Sequence, residues 1–292
     1  MDHVSGLFIE STLSILPLSA FQPLLNSTLS ASRWSNYARI EFDNRQVATV
    51  SINLRDNTVK SKKTTVSTNR AHRLRVDHLG DYRRFVTLQE LTITSSSKKS
   101  FSGPFLLPDL LNLCSLEASI DEKQTRLVVE KVSRPEFWNV LKGNFDRITV
   151  SNTKQSGKEI DNFVKNISAY KVCRILKITN SDLSTESLQL LLTLFHQKQL
   201  TWIEVVGCEN GYISTDHIRE LIKEWKRDPE IFLYKSLTVS FVNRVDFCKG
   251  DLGFGLVPFK ANAIHFHKGK RNFGVKIELK DHEDVVELKF FG

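Results

Sequence analysis

The sequence predicts an α/β solenoid: parallel strands with helices on one face, a short helical module in front and an antiparallel β cap behind. Three observations predict it. A pair of apolar residues two apart recurs at Leu91-x-Ile93, Leu116-x-Ala118, Ile148-x-Val150, Leu176-x-Ile178, Ile203-x-Val205 and Leu237-x-Val239, in steps of 25, 32, 28, 27 and 34 residues. Three of the intervening stretches carry apolar residues at i, i+3, i+4 and i+7, the spacing of one helix face. Three short alternating runs close the chain. A unit of this length buries its apolar face by stacking on the next, so the units are expected to share one sheet, with right-handed crossovers.

Residues 1–36 read as short helices. Leu7, Phe8, Leu13, Ile15 and Leu16 precede Pro17, which ends or redirects a helix. Ser19 is placed to cap a second one, with Phe21, Leu24, Leu25 and Leu29 on its apolar side and Pro23 in its first turn. Arg33-Trp34 closes the stretch. Tyr37 to Phe42 and Val47 to Leu54 alternate in polarity around Asp43-Asn44, which predicts a β-hairpin. Lys60 to Arg75 is strongly basic, has few large apolar residues and no aromatic ones, and reads as a solvated loop.

From Leu88 the repeat takes over. The helix faces are Ile160, Phe163, Val164 and Ile167; then Leu188, Leu191, Leu192 and Phe195; then Ile218, Leu221, Ile222 and Trp225. Ser133-x-x-Glu136 and Ser156-x-x-Glu159 have the capping-box pattern, and Ser184 or Thr185 and Ser214 or Thr215 can cap the other two. Trp138, Phe163, Phe195 and Trp225 belong to the core on this reading; Trp34 is less settled. Thr92, Thr149, Lys177 and Glu204 alternate with the core residues, fall on the uncovered sheet face, and are the candidate target-binding positions. Phe247 to Pro258, with Gly250, Gly253 and Gly255, reads as a loop. Ala263 to His267, Phe273 to Leu279 and Val285 to Phe291 form the predicted antiparallel cap. Three segments result: 1–36, helical; 37–84, hairpin and basic loop; 85–292, solenoid with its cap.

Composition excludes several functions. The net charge of +8 is carried by residues 45–99, which hold 12 Lys or Arg against 4 Asp or Glu, while the remainder balances. A basic patch attracts nucleic acid or an acidic protein, but single-strand binders interleave aromatic residues for base stacking, so nucleic acid is not the expected partner. Cys114, Cys173, Cys208 and Cys248 lie far apart, without metal or redox spacing, as buried reduced thiols do in a cytosolic or nuclear protein. No signal peptide or membrane span is expected. No nucleophile motif or phosphate-binding glycine loop is present, so no catalytic residue and no cofactor are expected. His265-x-His267 supplies half a zinc site at most, and no metal is expected.

Asn152 and Asn180 each follow their second core residue by two, and Gly207 takes that place in the next unit. An asparagine bonding neighbouring turns, as in leucine-rich repeats, and a plain turn-forming asparagine both fit. The opening Met1-Asp2-His3-Val4-Ser5-Gly6-Leu7-Phe8-Ile9-Glu10, with Ile15-Leu16-Pro17-Leu18 and Ser32-Arg33-Trp34, resembles the F-box-like start of the expanded nematode F-box protein families. Those chains continue into leucine-rich-repeat-like strand–helix units. The resemblance implies a non-catalytic substrate-recognition subunit of a cullin-type ubiquitin ligase. Leu7, Phe8, Leu16, Phe21, Leu24 and Trp34 would dock on a Skp-family linker, and a leucine-rich-repeat-like body would hold a protein target whose identity stays open. A stand-alone interaction module is the alternative.

Overall fold

A computed structural model describes residues 4–14, 16–25, 33–65, 70–72, 85–95, 105–119, 124–154, 157–209, 211–241, 263–270, 272–280 and 284–292. It is a mixed α/β fold whose chain divides into two compact units, Met1–Val128 with Val140–Phe145, and Val129–Asn139 with Asp146–Gly292. The division falls inside one strand, β5 (Arg126–Glu130). The predicted glycine loop after Phe247, Cys248 and the Ser156 cap lie outside the described residues.

The first unit opens with α1 (Gly6–Ser14), a 3-10 turn (Leu18–Ala20), α2 (Phe21–Leu25) and α3 (Arg33–Asn44). Ile9, Leu13, Phe21 and Ala38 form its fully buried centre, with Leu16, Leu24, Trp34, Tyr37 and Phe42 packed around them. The hairpin expected at Tyr37–Phe42 is instead part of α3. Its inward positions are Ser35, Ala38, Glu41 and the following Arg45, three of them polar, so helical periodicity is hidden from an apolar count. Arg45 is 4% exposed and ties the module together. Its guanidinium donates to the carbonyls of Leu16 at 2.6 Å, Leu13 at 3.0 Å and Ser14 at 3.3 Å, and lies 4.8 Å from the Phe21 ring centroid. Leu13 and Ser14 end α1, where carbonyls have no partner within the helix, and Leu16 follows two residues on.

β1 (Gln46–Asn53) pairs antiparallel with β2 (Thr58–Thr65) and parallel with β4 (Val86–Thr94), and β2 pairs with β3 (Arg70–His72), in the order β4-β1-β2-β3. The basic stretch read as a loop therefore supplies strands. Every residue of β2 has a partner in β1, and backbone pairing holds it although Lys60 and Lys62 point to solvent. α4 (Leu107–Cys114) buries Leu110, Leu113 and Cys114. Leu116-x-Ala118 is buried and, among the described residues, makes a single bridge, Leu88 to Ala118; the strand is β5, carried by Leu127-x-Val129.

The second unit holds β6 (Arg147–Ser151), β7 (Ile175–Thr179), β8 (Trp202–Val206) and β10 (Ser236–Phe241), parallel and adjacent in chain order. Between them run α6 (Gly157–Tyr170), α7 (Thr185–Leu194) and α8 (Thr215–Arg227), after the short α5 (Pro135–Val140). All twelve residues of the three predicted helix faces are buried. Ser184 and Ser214 are the caps: Ser184 accepts the Ser187 amide at 3.0 Å, and Ser214 forms a capping box with His217. The strands of β6, β7 and β8 alternate buried and half-buried residues, so one sheet face is covered and the other partly accessible, while Thr238 and Ser240 of β10 on that second face are buried. β9 (Tyr212–Ile213) pairs with the end of β10. β13 (Val285–Phe291) lies antiparallel on β10, followed by β12 (Gly274–Lys280) and β11 (Ala263–Phe266), the predicted meander. Phe195, Phe232 and Phe290 pack in a triangle with centroids 5.1–6.0 Å apart.

A repeated turn joins strand to helix. Lys131, Asn152, Asn180 and Gly207 directly follow β5, β6, β7 and β8, and all have φ between 49° and 65°. The amides of the first three donate to the carbonyls of Ser151, Thr179 and Val206 on the next strand, at 3.0, 2.9 and 2.9 Å. One residue further on, Val132, Thr153, Ser181 and Cys208 are buried. Ser181 accepts the Thr153 amide at 3.1 Å and donates to its own Thr179 carbonyl at 2.9 Å. The asparagines thus take the left-handed turn and bond the next strand through their backbone amides, while the side-chain bond between turns comes from the residue after, Ser181.

Candidate functional site

Two surfaces carry the sequence-predicted site residues. On the N-terminal helices, Leu7 is 80% and Phe8 58% exposed on the outer face of α1. The Phe8 ring meets Trp34 edge-on at 6.4 Å. Trp34 is half-buried, and its indole N–H, buried, has no hydrogen-bond partner among the described residues. Leu16 and Leu24 are half-buried against the helical core. Phe21 is 0% exposed, so it is corrected from docking residue to core residue: it fills the space under Arg45. Ile40, 47% exposed, adds to the outer surface; sequence reasoning missed it by placing it in a strand.

The second face of that sheet brings three of the four candidate target-binding residues, all half-buried, into one row that runs on to the buried Thr238 and Glu287. Thr149 pairs with Lys177, Lys177 with Glu204, Glu204 with Thr238, and Thr238 with Glu287. Lys177 bonds Glu204 at 2.9 Å, and its ammonium stands 4.1 Å from the Trp202 ring centroid. Thr92 is in the first unit, on β4, where its hydroxyl bonds Glu90 at 3.3 Å. The row continues into charges that sequence reasoning left out: Lys289 bonds Glu278 at 3.0 Å and Glu287 at 3.1 Å, and Lys276 also pairs with Glu278. Hydrogen bonds from Lys276 and Lys289 pull the Glu278 carboxyl below its usual range, and Glu278 and Glu287 raise Lys289. The signal for these residues is their alternation with Ile277 and Leu288, which becomes a shared face only once β12 and β13 are in register.

Ionisable groups elsewhere serve the fold. Cys114, Cys173 and Cys208 are buried free thiols, and burial pushes Cys173 up to about 12, far from the reactive range. His267 bonds the Lys226 carbonyl at 2.7 Å and packs on Trp225, and His265 lies on the same side of β11. Burial, then the Lys226 charge, lowers His265. Among the described residues no group of His, Cys, Asp or Glu side chains can hold a metal ion, and no helix is long and apolar enough to cross a membrane. No protein-family model, curated protein or solved structure matches the chain.

Proposed function

We propose that this chain is a non-catalytic substrate-recognition subunit of a cullin-type ubiquitin ligase, with an F-box-like N-terminus and a leucine-rich-repeat-like body. The observation that carries the ligase part is the pair Leu7 and Phe8, two adjacent large apolar side chains held in solvent on α1 beside Trp34. Contiguous exposed apolar surface is the kind that protein contacts use. The body is supported by the pattern Leu-x-x-Leu-x-Leu-x-x-Asn/Cys of leucine-rich repeats. Phe145-x-x-Ile148-x-Val150-x-x-Thr153, Cys173-x-x-Leu176-x-Ile178-x-x-Ser181 and Leu200-x-x-Ile203-x-Val205-x-x-Cys208 follow it, with small polar or thiol residues at the last place. The row Thr149, Lys177 and Glu204 is then the target-facing surface.

The test is co-purification of the full chain with a Skp-family linker. Association is expected with the wild type, and its loss with Leu7→Asp/Phe8→Asp at unchanged melting temperature. No association of the wild-type chain removes the ligase reading. The stand-alone interaction module then takes its place, a reading favoured by the burial of Phe21 and the packing of Leu16 and Leu24 into the module's own core.

A further inference from the structure

β2 carries two cations that hold nothing in the fold of the first unit. Its register with β1 sets Lys60 opposite Ser51 and Lys62 opposite Thr49. Directly opposed residues share a sheet face, so these four side chains lie together. The other face carries the buried Val50, Ile52, Val59, Leu91 and Ile93, and the four stand on the side away from that core. Lys60 and Lys62 are exposed, while Ser51 and Thr49 are half-buried. Among the described residues neither ammonium has an ion-pair or hydrogen-bond partner, and neither do the hydroxyls of Ser51 and Thr49. At the two ends of the same face, Thr58 and Thr87 bury hydroxyls that also have no partner among the described residues.

This arrangement selects its ligand by charge and by acceptor count. Residues two apart on a strand stand about 7 Å apart, and opposed residues on paired strands about 5 Å. Two lysine stems starting from such positions can converge on one oxyanion, with two hydroxyls beside it. Ammoniums only donate and hydroxyls can donate, so the group they surround is an acceptor with negative charge. A phosphomonoester carries about −1.5 to −2 charge and three acceptor oxygens, which matches two ammoniums and two hydroxyls. A carboxylate brings less charge and two oxygens. The carboxylates nearby are engaged elsewhere. Glu90, one strand further over, accepts from Thr92, and Asp56, in the turn after β1, accepts from the Asn53 side chain at 3.1 Å. β1, β2 and β4 contain no aromatic residue, so the face offers no platform for a nucleic-acid base.

We propose that the Lys60–Lys62 face of the first unit binds a phosphorylated side chain of a partner protein. The two ammoniums clamp the phosphate, and Ser51 and Thr49 donate to its oxygens. Charge-assisted bonds of this kind are short and strong, and an otherwise flat polar surface gains from them a contact that depends on the phosphate. The basic segment of the chain thereby acquires a role that does not depend on the ligase reading or on Leu7 and Phe8.

The experiment measures retention of the full chain on beads bearing degenerate nonapeptides with phosphoserine fixed at the centre. Matched beads carry serine or glutamate there. Retention on phosphoserine is expected to exceed that on serine by about tenfold or more, with glutamate well below phosphoserine. Lys60→Ala/Lys62→Ala is expected to lower phosphoserine retention by about tenfold or more, and Thr49→Val/Ser51→Ala by a smaller factor. Melting temperature and linker co-purification should stay as in the wild type, because neither lysine has a partner to lose. Equal retention on phosphoserine and serine beads overturns the proposal, as does full retention of the Lys60→Ala/Lys62→Ala variant. Equal retention on glutamate beads overturns it in favour of a general acidic segment. Displacement by a thymidine oligonucleotide at lower concentration than by a free phosphoserine peptide overturns it in favour of nucleic acid.

Discussion

Replacing Arg45 by Met tests how the N-terminal helices are held. Methionine keeps much of the apolar stem over Phe21 but removes every donor. The carbonyls of Leu13 and Leu16, bonded at 3.0 and 2.6 Å, lose their charged partner, and the weaker contact to Ser14 at 3.3 Å lies where water can replace it. Hydrogen bonds to a charged group are worth about 1.5–3 kcal/mol each, so the two good ones total roughly 3–6 kcal/mol. The cation–π contact adds about 1 kcal/mol. Those values are already net of the loss of water, so what stands against them is about 2 kcal/mol of side-chain entropy no longer lost on folding. Glu41, with an oxygen 3.9 Å from the guanidinium, also loses that cation. The balance falls at about 2–5 kcal/mol of destabilisation, concentrated in α1. Amide hydrogen exchange with mass spectrometry reads it directly: peptides covering α1 and α3 are expected to lose protection, and those covering β7 and β8 to keep it. Arg45→Lys, able to serve one or two carbonyls, is expected to fall between. Unchanged protection of α1 in Arg45→Met would refute the reasoning, because the buried carbonyls would then need no cation.

Three other outcomes follow from single residues. Lys235 is 2% exposed and donates to the carbonyls of Phe195 and Gln197 at 2.5 and 2.8 Å, while burial lowers its pKa from 10.5 to about 8. Between those values the unfolded chain binds the proton more tightly, so stability should rise with pH from about 8 toward 10.5; chemical denaturation at several pH values should show this slope, flattened in Lys235→Met. Gly207 has φ of 65° and an added Cβ would collide with the Asn180 side-chain oxygen, so Gly207→Ala should cost about 1–2 kcal/mol in urea denaturation, more than Asn180→Ala. The partly exposed Lys177–Glu204 pair should contribute less than about 1 kcal/mol in a double-mutant cycle, so a loss of target binding in either variant reports contact rather than unfolding.

The second unit was the more legible half. Helix spacing at Ile160, Leu188 and Ile218 marks an apolar face wherever the helix packs, and all of those residues are buried. The closing strands were readable because Val275, Ile277 and Leu279 alternate against Val286, Leu288 and Phe290. The bonds between turns were half readable: the spacing drew attention to Asn152 and Asn180, whereas Thr153, Ser181 and Cys208 make no apolar or turn signal and gain their role only from the neighbouring strand. The first unit was harder for the opposite reason. α3 turns Ser35 and Glu41 inward, Arg45 just after it is buried too, and Ile40 is left outside, the reverse of what hydropathy suggests. β2 is a strand through its register with β1, not through its side chains, which are mostly Lys, Ser and Thr.

The sequence by itself determined the helix faces and parallel strands of the second unit and the closing meander, because periodicity records which side of an element faces a core. Tertiary structure alone decided which apolar residues are spent inside. Phe21 and Phe8 are indistinguishable as residue types in short helices, yet one lies fully buried under Arg45 and the other stands in solvent beside Trp34. It also decided that Lys177 meets Glu204, and that Lys289 meets Glu278 and Glu287. Those relations are between residues distant in the chain, and only register and packing bring them within reach.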